Sequence, residues 1–228
     1  MPRIPRSLTL EEGYQTHKMW KAHNGETSLK SREDKVAYLN YLNRYLPKQS
    51  NKLNAFCNMS NHSHEIYDIN NVKEFSNLMR DHHARNGYSF NRRHKRYGKV
   101  AYERPKTCLI ESDEYSMQAT LYIHANPVKA GIVKNAANYA FSTHRLYAFG
   151  KRDKYTKHVI FPQWYMELGK TPEQRQKRYR RLFDAYLREK GLITLSLYDR
   201  SFLGSYFWSE SRKNRITQWI KTKHKSPP

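Results

Sequence analysis

The sequence is poor in three things. Cysteine is nearly absent, Cys57 and Cys108 being the only two in 228 residues. That is too few for a disulfide framework and predicts a reducing, cytoplasmic setting. No apolar run approaches the length that spans a bilayer, and the basic opening "MPRIPRSLTLEEGY" lacks the apolar stretch of a secretory leader, so no membrane span is expected. Acidic residues are scarce as well: 20 Asp and Glu stand against 42 Lys and Arg, a formal net charge of +22. Self-repulsion on that scale opposes compaction and points to a polyanionic partner, nucleic acid ahead of an anionic membrane surface. Aromatics are plentiful at 14%, with 18 tyrosines. That excludes a disordered chain and supplies rings that can stack on bases.

Hydrophobic periodicity gives the organisation. "GYQTHKMWKAH" (13–23) alternates, with Tyr14, Thr16, Lys18 and Trp20 on one side, and reads as a first strand. Ser31, followed by Glu33 and Asp34, opens a helix whose stripe is Val36, Leu39, Leu42, Tyr45 and Leu46, and Pro47 ends it. "KLNAFCNM" and "HSHEIYDI" read as two strands turned at Ser60-Asn61. A second helix follows through Val72, Phe75, Leu78 and Met79, and "KTCLIES" is a fourth strand. Ser112-Asp113 then starts a third helix that runs into Asn126-Pro127, where a residue before proline is expected to leave helical geometry. The order βαββαβ predicts an α+β fold, a ferredoxin-like antiparallel sheet with helices on one face. A boundary is expected near 149–158, dividing a domain 1–150 from a basic helical extension 151–228. The extension carries 19 Lys and Arg against 7 Asp and Glu, a net of +12, on two apparent basic helices interleaved with Tyr179, Phe183, Tyr186, Trp208 and Trp219.

One short stretch carries chemistry. In "CNMSNHSHEIYDIN", His62 and His64 are two apart on a strand, so both rings lie on one face. Tyr122 and Asn126 are four apart on the third helix and also share a face, with Tyr115 seven before Tyr122 on the same stripe. If that helix lies beside the histidine strand, two imidazoles, an amide oxygen and a phenol converge. That would be a three-ligand, open metal site with a nucleophile alongside it. Imidazoles alone suit zinc or manganese, and oxygen donors suit magnesium. Cys57, His62, His64 and Cys108 have the donor types for zinc but the spacing of no compact finger. The basic run "NRRHKRYGK" (91–99) reads as a loop that contacts phosphates, and the DNA-contact candidates are Arg92, Arg93, Lys95, Arg96, Lys99, Arg104 and Lys106.

"AFCNMSNHSH", "YIHANPVKAGIV" and "ANYAFSTHRLY" together resemble the single-tyrosine HUH transposases, and within them the REP-associated tyrosine transposases. The likeness spans roughly residues 10–147. It implies that His62 and His64 are metal ligands, that Asn126 is the third ligand and that Tyr122 is the nucleophile. It also implies exchangeable Mg²⁺ or Mn²⁺, and cleavage and rejoining of single-stranded or hairpin DNA through a 5′-phosphotyrosine. Such a chain is compatible with a homodimer. Ser63, between the two histidines, stands where the family carries an apolar residue, and "GKVAYERPK" replaces a more aromatic, glutamine-bearing stretch.

Overall fold

The computed structural model describes residues 4–189 and 201–224; the remainder of the second basic stretch, 190–200 and 225 onward, lies outside them. After a short helix α1 (Arg6–Thr9), the elements run β1 (Gln15–Lys21), α2 (Arg32–Tyr45), β2 (Lys52–Asn58), β3 (His62–Asp68), α3 (Val72–Arg93), β4 (Lys106–Ile110) and α4 (Asp113–Lys129). Then come α5 (His144–Phe149), α6 (Gln163–Met166), α7 (Pro172–Arg188), β5 (Phe202–Leu203) and α8 (Tyr206–His224). The sheet order β2-β3-β1-β4-β5 contains the expected ferredoxin-like core, with β1 antiparallel to both β3 and β4. β5 adds parallel to β4, which makes the five-stranded sheet mixed rather than purely antiparallel. A two-residue strand is too short for any periodicity to reveal it.

Both sheet edges are covered, which protects the unpaired backbone groups from foreign strands. Beyond β5, the segment 141–143 pairs with β2 through Asn58 N–H to Phe141 O (2.9 Å) and Thr143 N–H to Phe56 O (3.0 Å). At the opposite edge, just after β5, the backbone of Gly204 packs close to the end of β4: a Cβ there would stand 2.5 Å from a Glu111 carboxylate oxygen, and that carboxylate accepts from the Ser205 hydroxyl at 3.0 Å.

The local signals explain most boundaries. Ser31 caps α2 by accepting from Asp34 N–H (3.0 Å), and Asn71 caps α3 by accepting from Glu74 N–H (2.9 Å). α3 outruns its expected end by one turn and takes in Arg92 and Arg93, where cations complement the helix dipole. The loop therefore starts at His94, and Lys95 there takes a positive φ of 48°. α4 also corrects the sequence reading, because it does not leave helical geometry at Asn126. The Asn126 carbonyl still accepts from Ala130 N–H at 2.9 Å, and Pro127 sits inside the last turn, where its missing N–H leaves the Ile123 carbonyl without its usual helical donor.

The two faces of the sheet differ. Thr16, Lys18 and Trp20 point toward α2 and α3, as the alternation predicted. There Lys18 Nζ meets Glu65 Oε1 at 2.7 Å and the Tyr38 hydroxyl at 2.7 Å, all three side chains being fully buried. Ser63 joins them, 2.6 Å from the Tyr38 hydroxyl, so the serine between the histidines is buried and satisfied. Burial pushes Glu65 up, but the Lys18 ammonium, His82 and hydrogen bonds from Lys18 and Tyr67 bring it below the ordinary carboxylate value. The opposite face takes α4, so the third helix lies across the sheet from the first two.

An ion pair buried this completely is held by mutual compensation. Glu65→Gln should therefore lower unfolding free energy by about 3–5 kcal/mol, because the Lys18 ammonium is left uncompensated. Lys18→Met combined with Glu65→Leu should recover much of that loss. Urea midpoints of the three proteins measure both effects, and equal losses in the single and double variants would show that the pair is not what holds this face.

Candidate active site

β3 alternates between the two faces, so His62 and His64 go to the α4 side while Ser63 and Glu65 go to the core behind. The two imidazoles stand edge to face with centroids 4.8 Å apart. α4 lays Tyr122 against them, its ring 5.8 Å from that of His64 and again edge-on. Asn126 follows one turn later on the same stripe, half-buried, and its Nδ2 is buried with no hydrogen-bond partner among the described residues. Tyr122 of the helix pair thus meets His64 of the strand pair, with Asn126 on the same stripe of α4.

Each imidazole is oriented through its Nδ1. His62 Nδ1 is 2.6 Å from Asn61 Oδ1, and His64 Nδ1 is 2.8 Å from Nε2 of His17 on β1. With Nδ1–H donating in each, the Nε2 lone pairs of both rings are left to bind a cation. Burial is the main reason that both rings stay neutral. It lowers His62 to about 4 with help from Lys21, and holds His64 well below the ordinary value with help from His62 and His17. His17, also buried, is lowered to about 3. Neutral imidazoles are what coordination requires.

The donor set fits a cation only with the amide included. Among the described residues no three His, Cys, Asp or Glu side chains converge on a metal position. Two imidazoles with the Asn126 oxygen would make a mixed nitrogen–oxygen set, in which the oxygen donor suits Mg²⁺ or Mn²⁺ and the imidazoles suit softer ions as well. Cys57 and Cys108 are both buried and free, and burial pushes the Cys57 thiol far above its ordinary value. A thiolate ligand is therefore disfavoured there.

Sequence reading missed two neighbours. His17 shares the parity of Met19, which pairs with His64, so the ferredoxin-like order alone would have placed it on this face. Lys129, inside "NPVKAG", lies with its Nζ 5.9 Å from the centre of the Tyr122 ring and donates to the Tyr186 hydroxyl of α7 at 3.2 Å. Its seven-residue spacing from Tyr122 was the available signal. Burial raises the Tyr122 phenol and lowers the Lys129 ammonium. His124 and His82 are structural. His124 bonds the Tyr179 hydroxyl (2.6 Å) and Thr143 Oγ1 (2.7 Å), and His82 bonds the Tyr38 carbonyl (2.9 Å).

The basic candidates divide into two groups. Arg93 is tied to Asp34 (2.5 Å), Arg96 to Glu26, Arg104 to the Ile4 carbonyl (2.8 Å) and Lys106 to Glu103 (3.4 Å). Arg92, Lys95 and Lys99 make no ion pair among the described residues and are exposed. Charge counting along a sequence cannot see which cations are already engaged.

No helix among the described residues is long and apolar enough to cross a membrane. No family model and no curated protein matches the sequence. In three dimensions the chain is similar to a solved REP-associated tyrosine transposase bound to a REP hairpin. The match has a TM-score of 0.54 and 21% identity, and covers 67% of this chain and 89% of the other. The likeness carried by "NHSH" and "YIHANPVKAG" thus extends to the architecture, and the chain has the fold of a REP-associated tyrosine transposase.

Proposed function

We propose that the protein is a transposase-like, metal-dependent endonuclease and strand transferase acting on single-stranded DNA next to hairpins. The observation that carries this reading is the meeting of Tyr122 with the His62–His64 pair, the half-buried Asn126 one turn further on. In the reaction the Tyr122 oxygen attacks a backbone phosphorus, the P–O3′ bond breaks, and the 3′-oxygen leaves as a hydroxyl once protonated. The strand stays joined to Tyr122 through its 5′-phosphate, and attack by a new 3′-hydroxyl reverses the step. His62, His64 and Asn126 Oδ1 would hold Mg²⁺ or Mn²⁺, which when bound polarises the phosphate and favours the phenolate. His17 orients His64, and the Lys129 ammonium lies 5.9 Å from the centre of the Tyr122 ring, where its charge would favour the phenolate.

The domain layout is part of this proposal: residues 1–150 hold the chemistry, and 151–228 extend the DNA surface. α7 supports it, since Tyr179, Phe183 and Tyr186 are buried while Lys177, Arg181 and Arg188 are exposed on the other side.

The fold of the solved hairpin-bound transposase makes hairpin DNA the substrate of choice for testing the reading. Labelled hairpin DNA with a single-stranded flank, incubated with Mn²⁺, should give a covalent protein–DNA band on a denaturing gel. Tyr122→Phe should abolish it. Loss of one hydroxyl interaction, about 0.5–1.5 kcal/mol, should change DNA affinity by no more than about tenfold. Full adduct yield from the variant would move the nucleophile elsewhere, with Tyr115 the next candidate.

His62→Ala and His64→Ala should each remove the band and weaken Mn²⁺ binding by calorimetry, and chelation of the wild type should do so reversibly. His17→Ala should weaken Mn²⁺ binding by about 10–100-fold, the usual effect of losing a residue that orients a ligand. Cleavage at an undiminished rate under chelation would instead assign the imidazoles to acid–base work.

For the extension, Lys177→Gln with Arg181→Gln should make log K against log salt shallower by about 0.7 per lost phosphate contact on single strands. An unchanged slope in salt titrations would take α7 off the DNA.

A further inference from the structure

Across the sheet from Tyr122, two cavities of about 510 and 330 Å³ adjoin between α3 and the segment 99–105. They share His83, Lys99 and Ala101 as walls. Trp20 lies buried under the His83 ring, stacked at 5.8 Å and 11°, and holds that ring flat against the wall. Both His83 ring nitrogens are buried with no hydrogen-bond partner among the described residues, and burial keeps the ring neutral. A buried polar pair left without partners calls for an explanation. At the rim, Tyr102 is 53% and Tyr88 60% exposed, a large apolar area for a protein that has core to place them in. Arg85 lies over the Tyr88 ring at 5.7 Å, and Lys99 lines both cavities without an ion pair among the described residues, whereas Arg80 is paired with Asp81 at 2.8 Å.

We infer that this groove is a binding subsite for an unstacked nucleotide of single-stranded DNA. This rests on the proposed handling of single-stranded DNA and deepens it. Exposed aromatics interleaved with cations are the physical means by which proteins hold single strands: the rings stack on bases and the cations track phosphates. The His83 ring lines both cavities and adds an aromatic wall to the exposed Tyr88 and Tyr102 at the rim. Each cavity is in the size range of small-ligand sites.

The groove is also well placed for the reaction. Its wall continues the sheet: His23 N–H donates to Val100 O (3.0 Å) and Tyr102 N–H to Lys21 O (3.0 Å), while Lys21 pairs with His62 on β3. Tyr102 thus stands two strand spacings from His62, roughly 10 Å along the end of the sheet. A strand leaving the Tyr122 site over that end would pass the groove mouth.

Gly87 gives a clean test. It lines the smaller cavity, lies within α3, and a Cβ there would meet only Val100 Cγ2 at 4.0 Å. Gly87→Leu should fill the cavity without disturbing the helix, and Gly87→Ala is the control. The probe is a fluorescein-labelled oligothymidylate, bound to the full chain in chelator so that no cleavage occurs. Base stacking on aromatics makes the expected loss of affinity in Gly87→Leu, and in Lys99→Ala with Tyr102→Ala on the exposed rim, about tenfold or more. Gly87→Ala should bind like wild type. With 5-iododeoxyuridine in the probe, crosslinks should map to Tyr88, His83 or Tyr102. Wild-type affinity in both the filled and the rim variants, or crosslinks confined to other surfaces, overturns the subsite. The covalent-adduct assay separates this from the enzymatic reading. Adducts in the wild type with no effect of the groove variants sink the subsite alone. Groove-dependent binding with no adduct under any condition sinks the enzyme and leaves the subsite standing.

Discussion

Everything around the candidate site depends on the pairing of β1 with β3 in a single register. Met19 stands opposite His64 and Lys18 opposite Glu65. Because successive strand residues alternate in direction, that register puts His17, His62 and His64 together on one face and Lys18, Ser63 and Glu65 together on the other. A slip of β3 by one residue would bury the imidazoles against α2 and α3 and turn Glu65 away from Lys18 toward Tyr122. The chemistry in front and the polar core behind are one choice made twice.

That link gives the unusual serine a physical role. An apolar residue at position 63 would pack against α2. Here Ser63 instead takes part in a closed set with Tyr38, Lys18 and Glu65, where each polar group has a partner. Such a set tolerates few alternative arrangements, since a half-satisfied buried network costs more than an apolar one. Geometric exactness behind β3 is transmitted directly to the two rings in front, because they share its backbone. The serine is therefore compatible with a buried strand whose opposite face carries His62 and His64.

How much could be read beforehand follows from the range of each signal. Caps, alternation and helical stripes are local, and the positions of β1, α2, the β2–β3 hairpin and α3 followed from Ser31, Ser60-Asn61 and the 72–79 stripe. The meeting of Tyr122 with His64 was legible only as a condition, since spacing says which residues share a face but not which faces meet. What escaped was non-local. β5 is two residues long and exists because β4 offers it an edge. The passage of α4 through Pro127 shows the rest of the helix and its packing outweighing the one bond that proline removes. The ties of Arg93 to Asp34 and Arg96 to Glu26 join residues 59 and 70 positions apart, beyond any pattern along the chain.

The basic extension shows how one helix can serve two requirements. Tyr179 donates into the buried His124, which also holds Thr143 and so the segment that covers the β2 edge. Tyr186, two turns on, reaches Lys129 beside Tyr122. The aromatic face of α7 thus fixes both the back of α4 and the surroundings of its tyrosine, and this leaves the cationic face no choice but to point outward. A large net charge of one sign is tolerable in a folded chain when a packed aromatic stripe anchors each helix that carries it. On α7 the interleaving of tyrosine with arginine is therefore a condition of folding before it is a means of binding. Tyr88 and Tyr102 are exposed instead, so packing of that kind does not account for the cations around them.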